Sequence, residues 1–259
     1  MTDKRIELYN DDCINVLKNI NSETIDCVIT SPPYDNLRTY NNTLKWNFEI
    51  FKEIAQELFR VLKKGGVIVW VVADATIKGS ETGTSFMQAL YFKELGFNLH
   101  DTMIYAKKNY IPKTHNRYEQ AFEYMFCFSK GKPKTFNPIK IPCVTAGSFK
   151  NRGGAKEDSN KCCERKRNEI TITKPDKIAP NIFYYNVGTN SKNNHPAVFP
   201  LDLVKDQIKS WTNENDTVLA PFMGSGTTGI ACKELNRNFI GIEIVKDYFD
   251  YAERIINDR

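Results

Sequence analysis

The sequence predicts an α/β fold built on a doubly wound, mostly parallel sheet. Apolar runs typical of buried strands occur at 25–29, 67–72 and 217–220. Segments with apolar residues at helical spacing lie between and after these runs. Strands that alternate with helices indicate a parallel sheet covered by helices on both faces. The length of 259 residues fits one large domain or one domain with an insert.

The elements of the first half have clear boundaries. The pattern predicts a strand that ends at 28–30 and a helix over 47–64. Lys63 and Lys64 suit the negative end of the helix dipole, and Gly65-Gly66 is expected to stop the helix. The continuous apolar run 67–72 predicts a strand buried on both faces. A second helix is expected over 84–95, followed by strands near 98–106 and 121–129.

The second half contains a segment of different character. Residues 131–194 are rich in Lys, Asn, Gly and Pro and show poor periodicity, so they are predicted to form an insert. Regular structure resumes with a helix over 201–211, a strand over 217–220, a helix that ends near 235, a strand over 239–244 and a closing helix. The expected parts of the chain are therefore 1–130, 131–194 and 195–259.

The charge is unevenly distributed. The whole chain carries +5, but residues 130–177 hold 13 Lys and Arg against 5 Asp and Glu, a net charge of +8. A basic block on a nearly neutral body is expected of a protein that binds a phosphate backbone. The same charge is also compatible with a solvated loop.

The composition argues against several classes of protein. No stretch approaches the roughly 20 apolar residues of a membrane span, and the polar start of the chain has no signal-peptide region. The 7 cysteines are odd in number and lack C-x-x-C spacing, so neither a metal site nor a disulfide framework is expected. A reducing, cytoplasmic location is the simplest interpretation.

Residues 30–34, Thr-Ser-Pro-Pro-Tyr, follow a predicted strand directly. Two prolines fix φ twice and remove two N–H donors, and the residue before each proline is pushed to extended geometry. The turn therefore offers the Ser31 hydroxyl, backbone carbonyls and the aromatic face of Tyr34. Such a set suits a planar base with an exocyclic amino group, extruded from a duplex. An ordinary proline turn after a strand is the alternative interpretation.

This pentapeptide resembles the catalytic motif of amino-directed DNA methyltransferases, which methylate cytosine N4 or adenine N6. The resemblance implies that Ser31, Pro32, Pro33 and Tyr34 are catalytic. Ser in the first position, here Ser31, is typical of many cytosine enzymes, which favours cytosine N4 and leaves adenine N6 as the alternative. The Ser31 hydroxyl and the Pro32 carbonyl would accept the amino protons, and transfer would be a direct displacement.

A glycine loop follows the strand at 217–220. Residues 221–229 read Pro-Phe-Met-Gly-Ser-Gly-Thr-Thr-Gly; Gly224 and Gly226 let the backbone approach a ligand, and the following helix offers free N–H groups. Glu243 ends the next strand, 19 residues after Gly224, where an acid can bind ribose hydroxyls.

The loop also matches the G-x-G-x-x-G pattern of nicotinamide-binding proteins, so an oxidoreductase is a rival interpretation. Only 16 residues follow Glu243, enough for one helix, whereas a dinucleotide needs a second nucleotide-binding half. S-adenosylmethionine has a single nucleoside and a methionine tail. We therefore expect the loop to hold the amino-acid end of this cofactor and Glu243 to hold its ribose.

The order of the motifs resembles the circularly permuted β-class of these enzymes, with a Rossmann-like methyltransferase sheet. The opening segment 8–13 and the segment from His115 to Pro133 are also similar to that family. The resemblance implies double-stranded DNA as substrate, a basic target-recognition insert over 131–194, a role in restriction-modification and a possible homodimer. The cofactor-binding residues it implies are Asp12, Thr30, Phe199, Pro200, Phe222, Gly224, Ser225, Gly226, Thr227, Thr228 and Glu243.

One residue departs from the family pattern. The family usually has Asp-Pro-Phe before the glycines, but this chain has Ala220-Pro221-Phe222. A carboxylate expected beside the cofactor is therefore missing. Ala220 leaves open a DNA-binding protein with weakened catalysis, although the intact turn at 31–34 argues for an enzyme.

Overall fold

The computed structural model describes residues 5–33, 46–110, 116–151, 170–187 and 199–258. The chain divides into two compact units. The first unit combines the chain up to Asn137 with the chain from Asn181 onwards, and the second unit is Pro138–Pro180. Within the described ranges, no helix is long and apolar enough to cross a membrane.

The elements alternate along most of the first unit, as the sequence predicts. The helices of the described chain are α1 (Cys13–Asn19), α2 (Phe48–Val61), α3 (Thr84–Glu94), α4 (Leu201–Trp211), α5 (Thr227–Glu234) and α6 (Lys246–Asn257). The strands are β1 (Ile6–Tyr9), β2 (Ile25–Thr30), β3 (Leu62–Val72), β4 (Thr76–Ile77), β5 (Ser80–Glu81), β6 (Asn98–Lys107), β7 (Phe122–Ser129), β8 (Lys140–Pro142), β9 (Phe149–Asn151), β10 (Ile170–Ile172), β11 (Asp176–Ile178), β12 (Ile182–Tyr185), β13 (Thr217–Ala220) and β14 (Asn238–Ile242).

The central sheet confirms the predicted α/β class. In the described chain its 8 strands follow the order β1-β14-β13-β2-β3-β7-β6-β12. All neighbours pair in parallel except β7, which is antiparallel to both β3 and β6. The carboxyl ends of the parallel strands therefore lie along one edge of the sheet.

Helices cover both faces of the sheet, because the central strands are apolar on both sides. Successive residues of β2 alternate between two clusters, with Val28 in one and Cys27 and Ile29 in the other. The first cluster includes buried residues of α1, α2 and α3. The second includes buried residues of α4, α5 and α6. The doubly wound arrangement follows from this alternation.

Helix α2 is shorter than its pattern predicts. It ends at Val61, and Leu62 already has extended backbone geometry. Lys63 lies in β3, where its Nζ is 2.7 Å from Asp26 Oδ2. Gly65 has a φ of +80° inside this strand and lies where the pairing of β3 with β2 shifts register, not at a helix stop. The predicted stop at Gly65-Gly66 was therefore wrong, because a strand pairing replaced the last helical turn.

The second compact unit is narrower than the predicted insert of 131–194. Strand β12 pairs in parallel with β6 and so belongs to the central sheet. The second unit itself contains two antiparallel pairs, β8 with β11 and β9 with β10. Lys140 Nζ lies 3.1 Å from Asp176 Oδ2 across the first of these pairs. Weak periodicity in the sequence concealed the short strands.

Aromatic rings fill the core between α2, α3 and the sheet. The Phe92 ring is fully buried, and its centroid lies 4.6 Å from that of Phe128, 5.2 Å from Trp70 and 5.3 Å from Phe51. The Trp70 indole N–H donates to Gln88 Oε1 at 2.8 Å, which satisfies both buried groups. This cluster fixes the strand that neighbours the Thr-Ser-Pro-Pro-Tyr turn.

We expect Phe92→Ala to lower the free energy of unfolding by about 3–5 kcal/mol, because it leaves a cavity among these rings. Leu90→Ala is the matched control on the same helix, since Leu90 is 65% exposed. Urea unfolding followed by circular dichroism measures both changes. Equal stability of the two variants would contradict the role assigned to the aromatic cluster.

Candidate active site

The proline turn leaves the sheet at the carboxyl end of β2. Thr30, the last residue of β2, pairs with Trp70 on β3. Pro32 is buried, and Ser31 and Pro33 are partly buried. Because both prolines lack an N–H group, the turn presents oxygen acceptors and no donor from these two positions. A turn that presents acceptors is compatible with the predicted contact to the protons of an amino group.

Thr30 has an unusual environment. It is 1% exposed, and its Oγ1 has no hydrogen-bond partner within the described part of the chain. A buried hydroxyl without a partner costs about 1–3 kcal/mol. The atom therefore marks a position at which an additional polar group would be stabilised. Tyr34, the aromatic end of the motif, lies outside the described residues, and its stacking role stays a prediction.

The glycine loop joins β13 to α5. Met223 N–H donates to the Ile242 carbonyl at 2.8 Å, and Gly226 N–H donates to the Met223 carbonyl at 3.1 Å. Gly224 and Gly226 have φ values of +55° and +80°, a region that side chains disfavour. The loop is therefore a fixed turn that brings the first N–H groups of α5 to the carboxyl edge of the sheet.

Three hydroxyl residues, Ser225, Thr227 and Thr228, line the start of α5. Ser225 and Thr228 are buried, and Ser225 Oγ lies 3.4 Å from Thr227 Oγ1. Gly226 leaves no space for a larger residue, because an added Cβ would lie 2.9 Å from Ala252 Cβ on α6. The loop thus packs closely against α6 and carries hydroxyl and N–H groups at the start of α5.

Glu243 connects the loop to the end of β14. Its Oε2 accepts the Gly224 N–H and its Oε1 accepts the Val245 N–H, both at 2.9 Å. The side chain is buried, and desolvation raises the pKa of its carboxyl, although hydrogen bonds from backbone N–H groups oppose the shift. Each carboxylate oxygen keeps a further lone pair for a ligand hydroxyl.

Asp12 follows the neighbouring strand, β1. Its Oδ1 accepts the Ile14 N–H at 2.8 Å and so caps α1. The Glu243 N–H donates to the Tyr9 carbonyl, which aligns the two strand ends. Burial, with the charges of Asp12 and Glu243 nearby, raises the pKa of the Cys13 thiol to about 12. The two acids therefore occupy one region of the sheet edge.

Phe222, Phe199 and Pro200, which the resemblance implies at the cofactor, do not pack on one face of the sheet. The Phe222 ring contacts Trp46 with a centroid distance of 5.6 Å and packs on the cluster of α1, α2 and α3. Phe199 packs on the cluster of α4, α5 and α6 instead. Pro200 precedes α4, and its carbonyl accepts the Val204 N–H at 3.2 Å. These residues therefore border the site on two different layers.

Ala220 ends β13 beside the glycine loop. It is 1% exposed and belongs to the apolar cluster of α4, α5 and α6. It pairs with Gly241 on β14. The position that carries a carboxylate in the family pattern is here an apolar, closely packed one.

Sequence reasoning missed two polar residues near this edge. Asn10 Nδ2 donates to the Glu243 carbonyl at 2.8 Å and holds the turn after β14. Asp74 is 4% exposed, and its Oδ1 accepts the Ser85 N–H at 2.9 Å. No sequence signal marked Asp74, because the Ser85 that it binds lies 11 residues further along the chain.

The edge therefore gathers groups of complementary kinds. Backbone N–H groups and hydroxyls stand at the loop, carboxylates at Glu243 and Asp12, and acceptors at the Ser31-Pro32 turn. Such a set can hold a nucleoside with a charged tail next to a base. Among the described residues, no group of three or more His, Cys, Asp and Glu side chains could hold a metal ion.

Comparison with known proteins agrees with this geometry. The family model N6_N4_Mtase, described as DNA methylase, matches residues 25–254. The chain is 50% identical over 250 residues to the orphan methyltransferase M.BamHII of Bacillus amyloliquefaciens, covering 93% of this chain and 92% of that protein.

Solved structures give the same result. The M1.HpyAVI-SAM complex has a TM-score of 0.65 and 28% identity, and the match covers 97% of this chain and 99% of that one. PvuII DNA methyltransferase (cytosine-N4-specific) has a TM-score of 0.72 at 21% identity, covering 97% and 89%, and supports the fold alone. The Rossmann-like methyltransferase sheet and the resemblance to amino-directed enzymes are thus confirmed. The chain belongs to the DNA methylase family.

Proposed function

We propose that this DNA methyltransferase transfers a methyl group from S-adenosylmethionine to the exocyclic N4 of cytosine in double-stranded DNA. The observation that carries the proposal is the Ser31-Pro32-Pro33 turn, which leaves β2 at the same sheet edge as the glycine loop and Glu243. An acceptor for an amino group thus stands beside groups suited to a nucleoside cofactor.

The donor set fits S-adenosylmethionine. Glu243 has lone pairs left for two ribose hydroxyls after it accepts Gly224 and Val245. The first N–H groups of α5 suit the carboxylate of the amino-acid tail, and Asp12 would lie at the adenine. The Thr30 hydroxyl, which has no hydrogen-bond partner among the described residues, would gain a hydrogen bond there. M1.HpyAVI, a relative solved as a SAM complex, supports this assignment.

The residues of the turn would position the target base. When bound, S-adenosylmethionine supplies an electrophilic methyl group on a sulfonium. The amino group of a base is a poor nucleophile, because its lone pair is delocalised into the ring. Hydrogen bonds from its two protons to Ser31 Oγ and the Pro32 carbonyl would favour a tetrahedral nitrogen, with the lone pair free to attack.

The remaining parts of the mechanism need no covalent intermediate. Tyr34 would stack on the extruded base, a contact worth about 1–3 kcal/mol. The nitrogen that gains the methyl group loses one proton to water. Positioning and exclusion of water therefore account for the rate enhancement in this proposal.

Target recognition is assigned to the basic segment of 131–194, with 1–130 and 195–259 as the catalytic and cofactor-binding parts of a circularly permuted domain. The segment contains the second compact unit, Pro138–Pro180. Its lysines and arginines would mostly contact phosphates and make binding sensitive to salt. The biological role would be DNA modification within a bacterial or phage restriction-modification system in the cytoplasm, by a monomer or a homodimer.

Two alternatives differ in what they predict. Adenine N6 would be the target if Ser31 accepts a purine amino group as readily as that of cytosine. A DNA-binding protein with weakened catalysis is favoured by one observation, the apolar residue Ala220 at the cofactor edge. The first alternative predicts a different methylated base, and the second predicts DNA binding with little product.

The proposal predicts N4-methylcytosine in unmethylated genomic DNA that is incubated with the protein and S-adenosylmethionine. Mass analysis of the digested nucleosides measures the product.

Ser31→Ala removes one acceptor and is expected to lower transfer about 100-fold, within the range found when one polar group in a catalytic site is removed. N6-methyladenine would replace the cytosine assignment by the adenine one, and DNA binding without either product would favour the binding protein.

Glu243→Gln should weaken cofactor binding. An amide has one acceptor and one donor, so its NH₂ group must face either the Gly224 or the Val245 N–H. The expected cost is about 1–3 kcal/mol, and calorimetric titration with the cofactor measures it. Glu253→Gln is the control on α6, because Glu253 is exposed. Equal affinities of the two variants would refute the ribose-binding role of Glu243.

Ala220→Asp should tighten cofactor binding about tenfold, equivalent to about 1.4 kcal/mol, because it restores a carboxylate that can attract the ammonium group of the amino-acid tail. The same carboxylate should destabilise the cofactor-free protein, since it lies in an apolar cluster. Ala220→Asn is the control of equal size without the charge. Titration and urea unfolding measure both effects, and identical affinities of the Asp and Asn variants would contradict the prediction.

A further inference from the structure

A small hairpin projects from the carboxyl end of β3. Its strands, β4 and β5, pair Thr76 with Glu81 and Ile77 with Ser80. Lys78 and Gly79 form the two-residue turn, with φ values of +49° and +81°, as a type I′ hairpin requires. A lysine with positive φ is uncommon, so this turn keeps a cation at its tip at some conformational cost.

The base of the hairpin is firmly held. The Thr82 N–H donates to the Ala75 carbonyl at 2.9 Å. The buried Asp74 carboxylate accepts the Ser85 N–H at 2.9 Å, the Ser85 hydroxyl at 2.5 Å and the Thr82 hydroxyl at 3.3 Å. An isolated two-stranded hairpin is marginally stable in water. These bonds fix both ends of this hairpin to β3 and α3, and so fix its direction.

The tip is open to solvent. Every residue from Thr76 to Glu81 is exposed, and 49% of the Ile77 surface is accessible. A Cβ added at Gly79 would meet no atom within 4 Å. An apolar β-branched side chain thus stands at the end of a rigid, exposed projection.

Cationic and aromatic side chains accompany the tip. The Arg117 guanidinium donates to the Gly79 carbonyl, and the next residue, Tyr118, is fully exposed. Lys78 itself adds a second positive charge. This surface is suited to phosphates and to the faces of bases.

The hairpin and the Ser31-Pro32-Pro33 turn leave the sheet side by side. They follow β3 and β2, which are adjacent and parallel, with Thr30 opposite Trp70. Neighbouring strands lie about 5 Å apart. A base bound at the turn would therefore have the hairpin as a close neighbour on the same edge.

We infer that the hairpin Thr76–Glu81 is a wedge that enters the DNA duplex next to the target base. Ile77 occupies the space left by the extruded base, and Lys78 and Arg117 contact the flanking phosphates. Extrusion costs a few kcal/mol of unstacking and unpairing, and apolar side chains inserted between base steps unstack and kink the duplex in other DNA-binding proteins. The inference rests on the proposed methyl transfer to double-stranded DNA.

Single-turnover methyl transfer tests the wedge. The recognition site is first mapped on DNA that the protein has methylated. Two duplexes that contain this site then serve as substrates. The target base is paired in one duplex and lies opposite an abasic position in the other. Ile77→Ala should slow transfer to the paired duplex about tenfold or more, and should leave the abasic duplex nearly unaffected, because that base is already unpaired. Ile77→Leu, which keeps an apolar side chain, should retain most of the activity.

Leu90→Ala serves as the control for an exposed apolar residue outside the site, and cofactor titration should give the same affinity for all variants. Equal slowing of both duplexes by Ile77→Ala, or no slowing of either, would refute the wedge while the proposed function stands. Absence of transfer by the unchanged protein to any DNA would refute the proposed function, and the wedge with it.

Discussion

Parallel pairing at the centre of the sheet is the constraint on which the rest of this protein depends. Strands β2, β13 and β14 are adjacent and parallel, so they must be covered by helices on both faces and must all end at the same edge. The two apolar clusters meet the first requirement. The second brings the proline turn, the glycine loop and Glu243 together, although they are far apart in the chain.

The buried carboxylate of Glu243 illustrates how this edge is stabilised. Burial disfavours its charged form and raises its pKa, whereas the N–H groups of Gly224 and Val245 favour the charged form. The bonds hold the loop in place before any ligand arrives. The same carboxylate therefore maintains the loop and, in the proposed function, binds the ribose, which would link the stability of the site to its affinity for the cofactor.

The carboxyl edge of the sheet carries two kinds of segment, closely packed turns and a projecting hairpin. The glycine loop and the proline turn are short and tightly packed, and they suit a small ligand that must be held in one position. The hairpin after β3 projects into solvent, and Asp74 anchors its base. In the proposed function, the packed segments position the reacting groups and the projecting segment acts on the duplex. Both depend on the strand order of one sheet.

The sequence by itself determined the α/β class, the alternation of most elements and the family. The helix at Leu201–Trp211 and the strand at Thr217–Ala220 have the predicted boundaries, because apolar periodicity and flanking residues specify them locally. The family followed from short motifs whose residue types are dictated by chemistry, such as Ser31-Pro32-Pro33 and Gly224-Ser225-Gly226.

Only the tertiary structure decided the features that depend on distant partners. Lys63 lies in a strand rather than in a helix because β3 pairs with β2 from Leu62 onwards. The pairing of β12 with β6 placed it in the central sheet despite its weak local pattern. The separation of Phe199 from Phe222 onto two layers and the anchoring of the hairpin by Asp74 arise in the same way. Each is set by which strands become neighbours, and that information is spread over the whole chain.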